Sequence, residues 1–261
     1  MRRLVVNADD FGFTRDTNEG IIAAHRDGIL TATTLMANGA AFDHAVELAR
    51  SNPTLDVGCH LVLVGGPGQP ASVPDLLVAL TRGQMDPYRV LRGQIEKIVA
   101  AGIHPRHLDT HKHTHLWPPV LKAVARLSQE FAIPWVRRPF DFPLSIRPVP
   151  WTRRVMSSTL GGLRPLFHRV LTQHSCRTTD HFAGFEITGA FVADDLVKLI
   201  AALPEGSTEF MCHPGYLRDE LRQAKTRLKE SREQELRALV DPSVRQALAR
   251  EGVQLVGYRH L

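Results

Sequence analysis

Two adjacent acids and a group of histidines are the side chains of this sequence best suited to chemistry. Asp9 and Asp10 come shortly after the apolar residues Leu4–Val6, and five of the 13 histidines lie between residues 104 and 115. Carboxylates and imidazoles bind divalent transition metals, and imidazoles also transfer protons near neutral pH. These residue types therefore predict a metal centre, acid–base catalysis, or both.

The segment from Asp109 to His115 has the most regular spacing of such groups. Every second residue in it is an acid or a histidine, in the order Asp109, His111, His113 and His115. Because alternate residues of an extended chain share one face, we expect all four to project together. Two of the histidines would share a metal, and the others would support the ligands or act as acid–base groups. The alternative is a polar, solvated loop, and the spacing does not identify which histidines bind.

Other titratable residues lie in or just after predicted strands, namely His60, Arg137 and His213. The two histidines and the aspartate pair each have a structural alternative. His60 alone is typical of a packed core histidine, His213 in its Pro-Gly turn fits either a structural or a catalytic role, and the aspartate pair could cap the following helix. One aspartate and two histidines from separate strands would suit zinc or another divalent transition metal.

Apolar patterning divides the chain into alternating strands and helices. The predicted strands are Leu4–Val6, Thr31–Met36, Val57–Val64, His107–Thr110, Trp135–Val136, Glu209–Met211 and Val253–Val256. The predicted helices are Asp16–Asp27, Phe42–Arg50, Tyr88–Ala101, Val120–Phe131, Leu196–Leu203 and Glu220–Leu239. This order predicts an α/β fold with a parallel sheet, and 261 residues suit one (β/α) barrel. An open doubly wound sheet is the alternative; in either fold the strand ends gather titratable residues at one rim.

Positive charge is concentrated in one part of the chain. Residues 137–177 contain eight arginines and one acid, Asp141, although the whole chain carries a formal charge of only +5. The basicity is therefore local, and no aromatic-basic pattern of a nucleic-acid binder accompanies it, so we expect no nucleic-acid partner. From Pro150 to His174, apolar residues recur at roughly helical spacing among the arginines. This segment predicts a lid or a homodimer contact, or a peripheral contact with an anionic membrane.

The sequence has no pattern of a membrane span or a disulfide framework. The apolar run after Met1-Arg2-Arg3 is too short for a signal peptide, and no stretch of about 20 apolar residues follows. Three scattered cysteines, Cys59, Cys176 and Cys212, fit reduced thiols. We therefore expect a cytoplasmic protein, with contact at the inner membrane face as the alternative for the basic segment.

Four motifs occur in an order that resembles the YdjC-like carbohydrate deacetylases. They are Asn7-Ala8-Asp9-Asp10-Phe11-Gly12, Gly58-Cys59-His60, Asp109-Thr110-His111-Lys112-His113-Thr114-His115 and Met211-Cys212-His213-Pro214-Gly215. The first and third motifs are specific together, and the likeness runs from Arg3 to Tyr258. The family includes chitooligosaccharide deacetylases and deacetylases associated with hopanoid biosynthesis.

The resemblance implies a distorted (β/α) TIM-like barrel of the glycoside hydrolase/deacetylase type, as one domain over residues 1–261. It implies a divalent metal, zinc or magnesium, with Asp10, His60 and His111 as ligands. In the same way Asp9 would be the general base and His213 the general acid or oxyanion partner. Arg137 would orient the base. Asp109, His113 and His115 would support the ligands from behind or line the substrate rim.

Removal of an N-acetyl group from an amino sugar, with release of acetate, is the activity that the resemblance implies. The sugar would belong to an oligosaccharide or to a lipid such as a glycosylated hopanoid. Residues 140–181 match the family poorly and form a variable basic insertion, so the resemblance does not extend to the substrate. The alternative is another metallohydrolase, such as a phosphoesterase whose arginines hold phosphate.

Overall fold

A curled parallel sheet with helices outside it forms the framework of the computed structural model, which describes residues 1–66, 68–143, 146, 151 and 161–261. The strands are β1 (Arg2–Phe11), β2 (Ala32–Leu35), β3 (Asp56–Leu61), β4 (His107–Thr110), β5 (Trp135–Val136), β6 (His181–Ala183), β7 (Gly206–Cys212) and β8 (Gln254–Leu255). The helices are Arg15–Arg26, Phe42–Ser51, Val73–Thr81, Pro87–Ala100, Pro118–Glu130, Arg164–Gln173, Ala193–Ala201, Asp219–Gln223, Glu230–Val240 and Pro242–Arg250. Short 3₁₀ turns cover His111–Leu116 and Tyr258–His260.

The strand order identifies the sheet as a distorted barrel. Neighbouring strands pair in the order β5-β4-β3-β2-β1-β7-β6, all in parallel, and β8 pairs with β1. Isolated bridges join Trp135 to Arg177 and Asp141 to Phe182, so the two ends of this path lie side by side. An open doubly wound sheet does not bring its edges together. The prediction of a distorted (β/α) barrel is confirmed.

The strand β1 pairs with β2, β7 and β8 and is buried over most of its length. Its residues from Leu4 to Phe11 are all buried, and both of its faces are covered, by the barrel interior and by the outer helices. Helix Arg15–Arg26 follows, with Thr14 as N-cap accepting a hydrogen bond of 3.1 Å from the Thr17 amide. Gly20 of this helix packs on the turn after β7, because a Cβ there would lie 2.5 Å from the Gly215 Cα.

The bounds of several predicted elements differ from the structure, and three of these differences are the largest or bear on the site. The first strand is longer than Leu4–Val6 and includes both aspartates. The predicted helix Glu220–Leu239 is wrong as one element, because two helices, Asp219–Gln223 and Glu230–Val240, are separated by an irregular segment. The segment after Asp109 is a 3₁₀ turn rather than an extended strand.

Candidate metal and catalytic site

A bulge near the end of β1 directs two neighbouring aspartates to the same site. Between Ala8 and Phe11, β1 holds one more residue than the paired stretch of β2, and Asp10 has a φ of 68°. Adjacent residues of a regular strand point to opposite faces, and a left-handed residue at a bulge reverses that alternation. Both carboxylates are buried, and both lie near His60.

Asp10, His60 and His111 present three ligand atoms that face one another. The His60 Nε2 lies 3.3 Å from the Asp10 Oδ1 and 3.3 Å from the His111 Nδ1, and the third side of the triangle measures 3.5 Å. Tetrahedral ligands about 2.1 Å from an ion lie roughly 3.4 Å apart, so the spacing suits a metal of zinc's size. Two imidazole nitrogens and one carboxylate are donors for zinc and similar ions, whereas magnesium prefers oxygen.

The second nitrogen of His60 is fixed by a buried acid. His60 donates through Nδ1 to the Asp109 Oδ1 at 2.8 Å, which leaves the Nε2 lone pair facing Asp10 and His111. Thr34 donates to the other oxygen of Asp109 at 3.1 Å. Such a carboxylate–histidine pair behind a ligand is the usual way in which proteins orient a metal-binding imidazole. A second group of candidate ligands, Asp9, His60 and Asp109, lies deeper and has Arg137 against both of its acids.

Arg137 lies beneath the site and joins three acids. Its guanidinium donates to both oxygens of Asp9 at 2.7 Å, to Asp109 at 2.6 Å and to Glu209 at 2.6 Å. Burial alone raises the pKa of Asp9, but the charge and hydrogen bonds of Arg137 outweigh burial and hold that pKa below its ordinary value. Asp9 is therefore ionised, oriented and able to accept a proton.

His213 lies on the other side of Asp9. Its Nε2 is 3.9 Å from the Asp9 Oδ2, and its Nδ1 is buried with no hydrogen-bond partner among the residues that the structure describes. Burial lowers the pKa of His213 to about 4, so the imidazole is neutral at pH 7. A neutral imidazole beside a carboxylate can donate a hydrogen bond or carry a proton between two groups.

The expectation that four alternating residues share one face is wrong. Lys112 and His113 have φ values of 54° and 51°, so the chain turns directly after His111. His115 instead donates to the Arg137 carbonyl oxygen at 2.9 Å, and burial lowers its pKa to about 3. His113 lies against the ring of Phe185, with centroids 5.5 Å apart. Neither histidine belongs to the donor groups found among the described residues. Their roles at the rim stay predictions.

The chain as a whole matches a known protein family. The family model of the YdjC-like proteins matches residues 3–250. The chain belongs to the YdjC-like family. The carbohydrate deacetylase of Geobacillus stearothermophilus is 33% identical, over 99% of this chain and 97% of that protein. The carbohydrate deacetylase of Brevibacillus brevis is 34% identical over 99% of each chain.

Solved structures similar to this YdjC-like chain show the same fold. One from Enterococcus faecalis V583, described as a cellobiose-phosphate cleavage protein, has a TM-score of 0.77 at 25% identity, over 99% of this chain and 98% of its own. The lactam utilization protein of Thermus thermophilus has a TM-score of 0.53 at 13% identity, over 97% and 99% of the two chains. The latter likeness concerns the fold alone.

Sequence patterns did not indicate four further polar residues around this YdjC-like site. They are Thr34, Glu209, Arg232 and Glu235. Arg232 contacts Asp10, and Glu235 contacts the His213 backbone, although both lie in a stretch whose sequence is typical of a charged surface helix. Their i,i+3 spacing is the one local signal that they share a helix face, and it does not show that this face is buried.

The basic segment is only partly described. Helix Arg164–Gln173 buries Phe167, Val170 and Leu171, while Leu166 is 39% exposed and Trp151 is 75% exposed. Within the amphipathic stretch predicted from 150 to 174, residues 150 and 152–160 lie outside the described residues. Within the described ranges, no helix has the length and apolar character needed to cross a bilayer.

Proposed function

We propose that this YdjC-like chain is a metal-dependent N-deacetylase that acts on an acetylated amino sugar and releases acetate. One observation carries the proposal: the Arg137-bound carboxylate of Asp9 and the imidazole of His213 lie beside a three-donor set of Asp10, His60 and His111. That set fits a divalent ion, and a base and a proton carrier next to such an ion suit amide hydrolysis. The names of the two curated relatives support a carbohydrate substrate.

Each residue has a separate role in the proposed reaction. A divalent ion at Asp10, His60 and His111 would supply Lewis-acid polarisation of the acetyl carbonyl. Asp9, held by Arg137, takes a proton from the attacking water. That proton passes to the His213 Nε2, 3.9 Å away, and then to the leaving amine. An imidazole N–H that also stabilises the oxyanion contributes roughly 3–4 kcal/mol.

A phosphoesterase that uses the same ligands is the competing proposal, and the site supports it less well. A phosphate needs cationic side chains that are free to hold its oxygens. The two arginines at the described site, Arg137 and Arg232, both engage carboxylates instead. Their charge is therefore largely compensated within the protein, which favours a neutral acetamido substrate.

The acceptor is proposed only as a class, either an oligosaccharide such as a chitobiose-like sugar or a lipid-linked glucosamine such as a glycosylated hopanoid. We propose that residues 1–261 form one domain and that the insertion at 140–181 is a lid or a homodimer contact. A peripheral contact with the inner membrane face of a cytoplasmic protein is the competing proposal. The exposed Trp151 and Leu166 are compatible with each of them.

Acetate release tests the proposed reaction directly. Purified protein is incubated with a panel of N-acetylated oligosaccharides, N-acetylated glycolipids and phosphate esters, each with and without a chelator. We expect acetate from an acetylated sugar, loss of activity with the chelator and recovery on addition of zinc. The Asp9→Asn variant is the inactive control. Phosphate release without acetate release would contradict the proposal.

A further inference from the structure

Two charged residues on one outer helix are buried beside the site. Arg232 is 1% exposed and Glu235 is 0% exposed, and they lie three residues apart on helix Glu230–Val240. Other charged residues of the same helix have more accessible side chains, such as Arg237 at 77% and Glu233 at 35%. Burying a charge is costly unless it is paired, so the contacts of these two residues need an explanation.

Arg232 binds the oxygen of Asp10 that the other donors do not face. The Asp10 Oδ1 faces His60 and His111, whereas the Arg232 Nη2 donates to Oδ2. Arg232 is itself held by a hydrogen bond of 3.2 Å from Nε to the Leu228 carbonyl oxygen. With one oxygen bound by arginine, the carboxylate plane of Asp10 is fixed and its other oxygen is aimed at the two imidazoles.

Glu235 binds the backbone on the other side of the site. It accepts a hydrogen bond of 2.5 Å from the His213 amide and one of 2.7 Å from the Gly189 amide. The same helix also accepts from Gly215, whose amide donates to the Arg232 carbonyl oxygen at 3.2 Å. The turn that carries the His213 imidazole is therefore anchored to this helix at two points.

We propose that Arg232 and Glu235 are positioning residues, through which helix Glu230–Val240 sets the place of the Asp10 carboxylate relative to the His213 imidazole. Arg232 acts on the metal-binding side and Glu235 on the proton-carrying side. The part that concerns Glu235 rests on the proposed deacetylase function, and the part that concerns Arg232 does not. Neither residue contacts reacting atoms, so each acts through the group that it holds.

A substitution that keeps the charge separates positioning by Arg232 from simple charge pairing. Arg232→Lys retains a cation but loses the fixed planar fork of the guanidinium. We expect its affinity for zinc, measured by competition with a chromophoric chelator, to fall about 10- to 100-fold. Arg237→Lys, an exposed change on the same helix, is the matched control and should bind zinc as the wild type does. Circular dichroism and a thermal melt show whether each variant folds.

Glu235→Gln tests the other side of the site. An amide keeps one acceptor oxygen but places an NH₂ group against the second backbone N–H, so the His213 turn shifts. Burial raises the pKa of Glu235 to about 7, and kinetics are therefore measured at pH 8, where the wild-type carboxylate is largely ionised. We expect kcat to fall about 10- to 100-fold with little change in KM. Zinc affinity stays within about twofold of the wild type, and Glu233→Gln is the matched control.

If the proposal is right, Arg232→Lys weakens zinc binding, whereas Glu235→Gln lowers kcat and leaves zinc binding nearly unchanged. If the two residues only stabilise the fold, both variants should melt at a lower temperature. Their folded fractions should then keep the zinc affinity, the kcat and the KM of the wild type. Wild-type zinc affinity in folded Arg232→Lys overturns the first part, and wild-type kcat in Glu235→Gln overturns the second. If Arg232→Lys does not fold, Arg232→Gln replaces it in the same titration. Failure of the wild type to release acetate contradicts the proposed function but leaves the zinc measurement intact.

Discussion

Arg137 donates a hydrogen bond of 2.7 Å to each carboxylate oxygen of Asp9, and these two residues are 128 positions apart in the chain. The pair joins the bulge of β1 to the residue that follows β5. Because Arg137 also binds Asp109 and Glu209, one cation orients the proposed base and the acid behind His60 together. The proton-accepting and metal-binding parts of the site therefore share a single buried support.

Removal of the proposed base should separate turnover from metal binding. Asp9→Asn keeps the shape of the side chain but cannot take a proton, and Asp9 is outside the Asp10–His60–His111 donor set. We expect kcat for acetate release to fall by about 10²–10⁴, with bound zinc unchanged when measured by elemental analysis. Wild-type turnover in this variant would rule out Asp9 as the base.

Removal of a proposed metal ligand should abolish both metal binding and turnover. Asp10→Ala or His111→Ala leaves two of the three facing donors, which is too few for a stable site in a protein. We expect loss of bound metal after dialysis and loss of acetate release. His174→Ala, at a histidine in contact with Gln129 and distant in the chain from the site, is the control. Full activity of metal-free Asp10→Ala would contradict the assignment.

Removal of Arg137 should destabilise the fold as well as the site. Arg137→Met leaves Asp9, Asp109 and Glu209 buried without their shared cation. Loss of one partner of a buried pair typically costs about 3–5 kcal/mol, so we expect a fall of that order in the free energy of unfolding by urea. Arg92→Met, at an exposed pair with Glu96, is the control and should leave the free energy of unfolding nearly unchanged.

Asp141 should make stability depend on pH. Burial raises its pKa from 3.8 to about 7, although the amides of Phe185 and Glu186 donate to its carboxylate. Between these pKa values the folded state holds a proton that the unfolded state has lost, so stability falls as pH rises. We expect the free energy of unfolding of the wild type, relative to Asp141→Asn, to fall between about pH 4 and pH 7.

The size of that change is bounded by the pKa difference. A shift of about three units corresponds to at most about 4 kcal/mol. Urea unfolding of both proteins at pH 4, 5.5, 7 and 8 measures it, and the difference should level off above pH 7. A constant or rising difference over this range would show that the folded protein holds Asp141 ionised.

The competing roles of the basic segment differ in their response to lipid. If residues 140–181 form a lid or a homodimer contact, the protein stays in the supernatant with anionic vesicles at low salt. A membrane role predicts co-sedimentation that weakens as salt rises and weakens further in Trp151→Ser, because Trp151 is exposed. We expect the first result, and sedimentation velocity of the same samples separates a dimer from a monomeric lid.

Much of the site was predictable because strand ends converge in a parallel barrel. The positions of Asp9, His60, Asp109, Arg137 and His213 near one rim follow from the strand pattern alone. The prediction that alternate residues from Asp109 to His115 share one face was wrong because it requires an extended backbone. Lys112 and His113 have positive φ angles instead. The burial of Arg232 and Glu235 was not predictable either. A helix rich in charged residues has the same sequence pattern whether those residues are exposed to solvent or buried against residues of opposite charge.

The sequence by itself determined the alternation of strands and helices, the local character of the positive charge and the motifs that resemble the YdjC-like family. These properties depend on residue type and short-range spacing. Only the tertiary structure decided which donors meet at 3.3–3.5 Å, that His113 and His115 turn away, and that one arginine binds Asp9, Asp109 and Glu209. Those relationships depend on backbone angles at single residues and on contacts between distant segments, which short-range patterns do not encode.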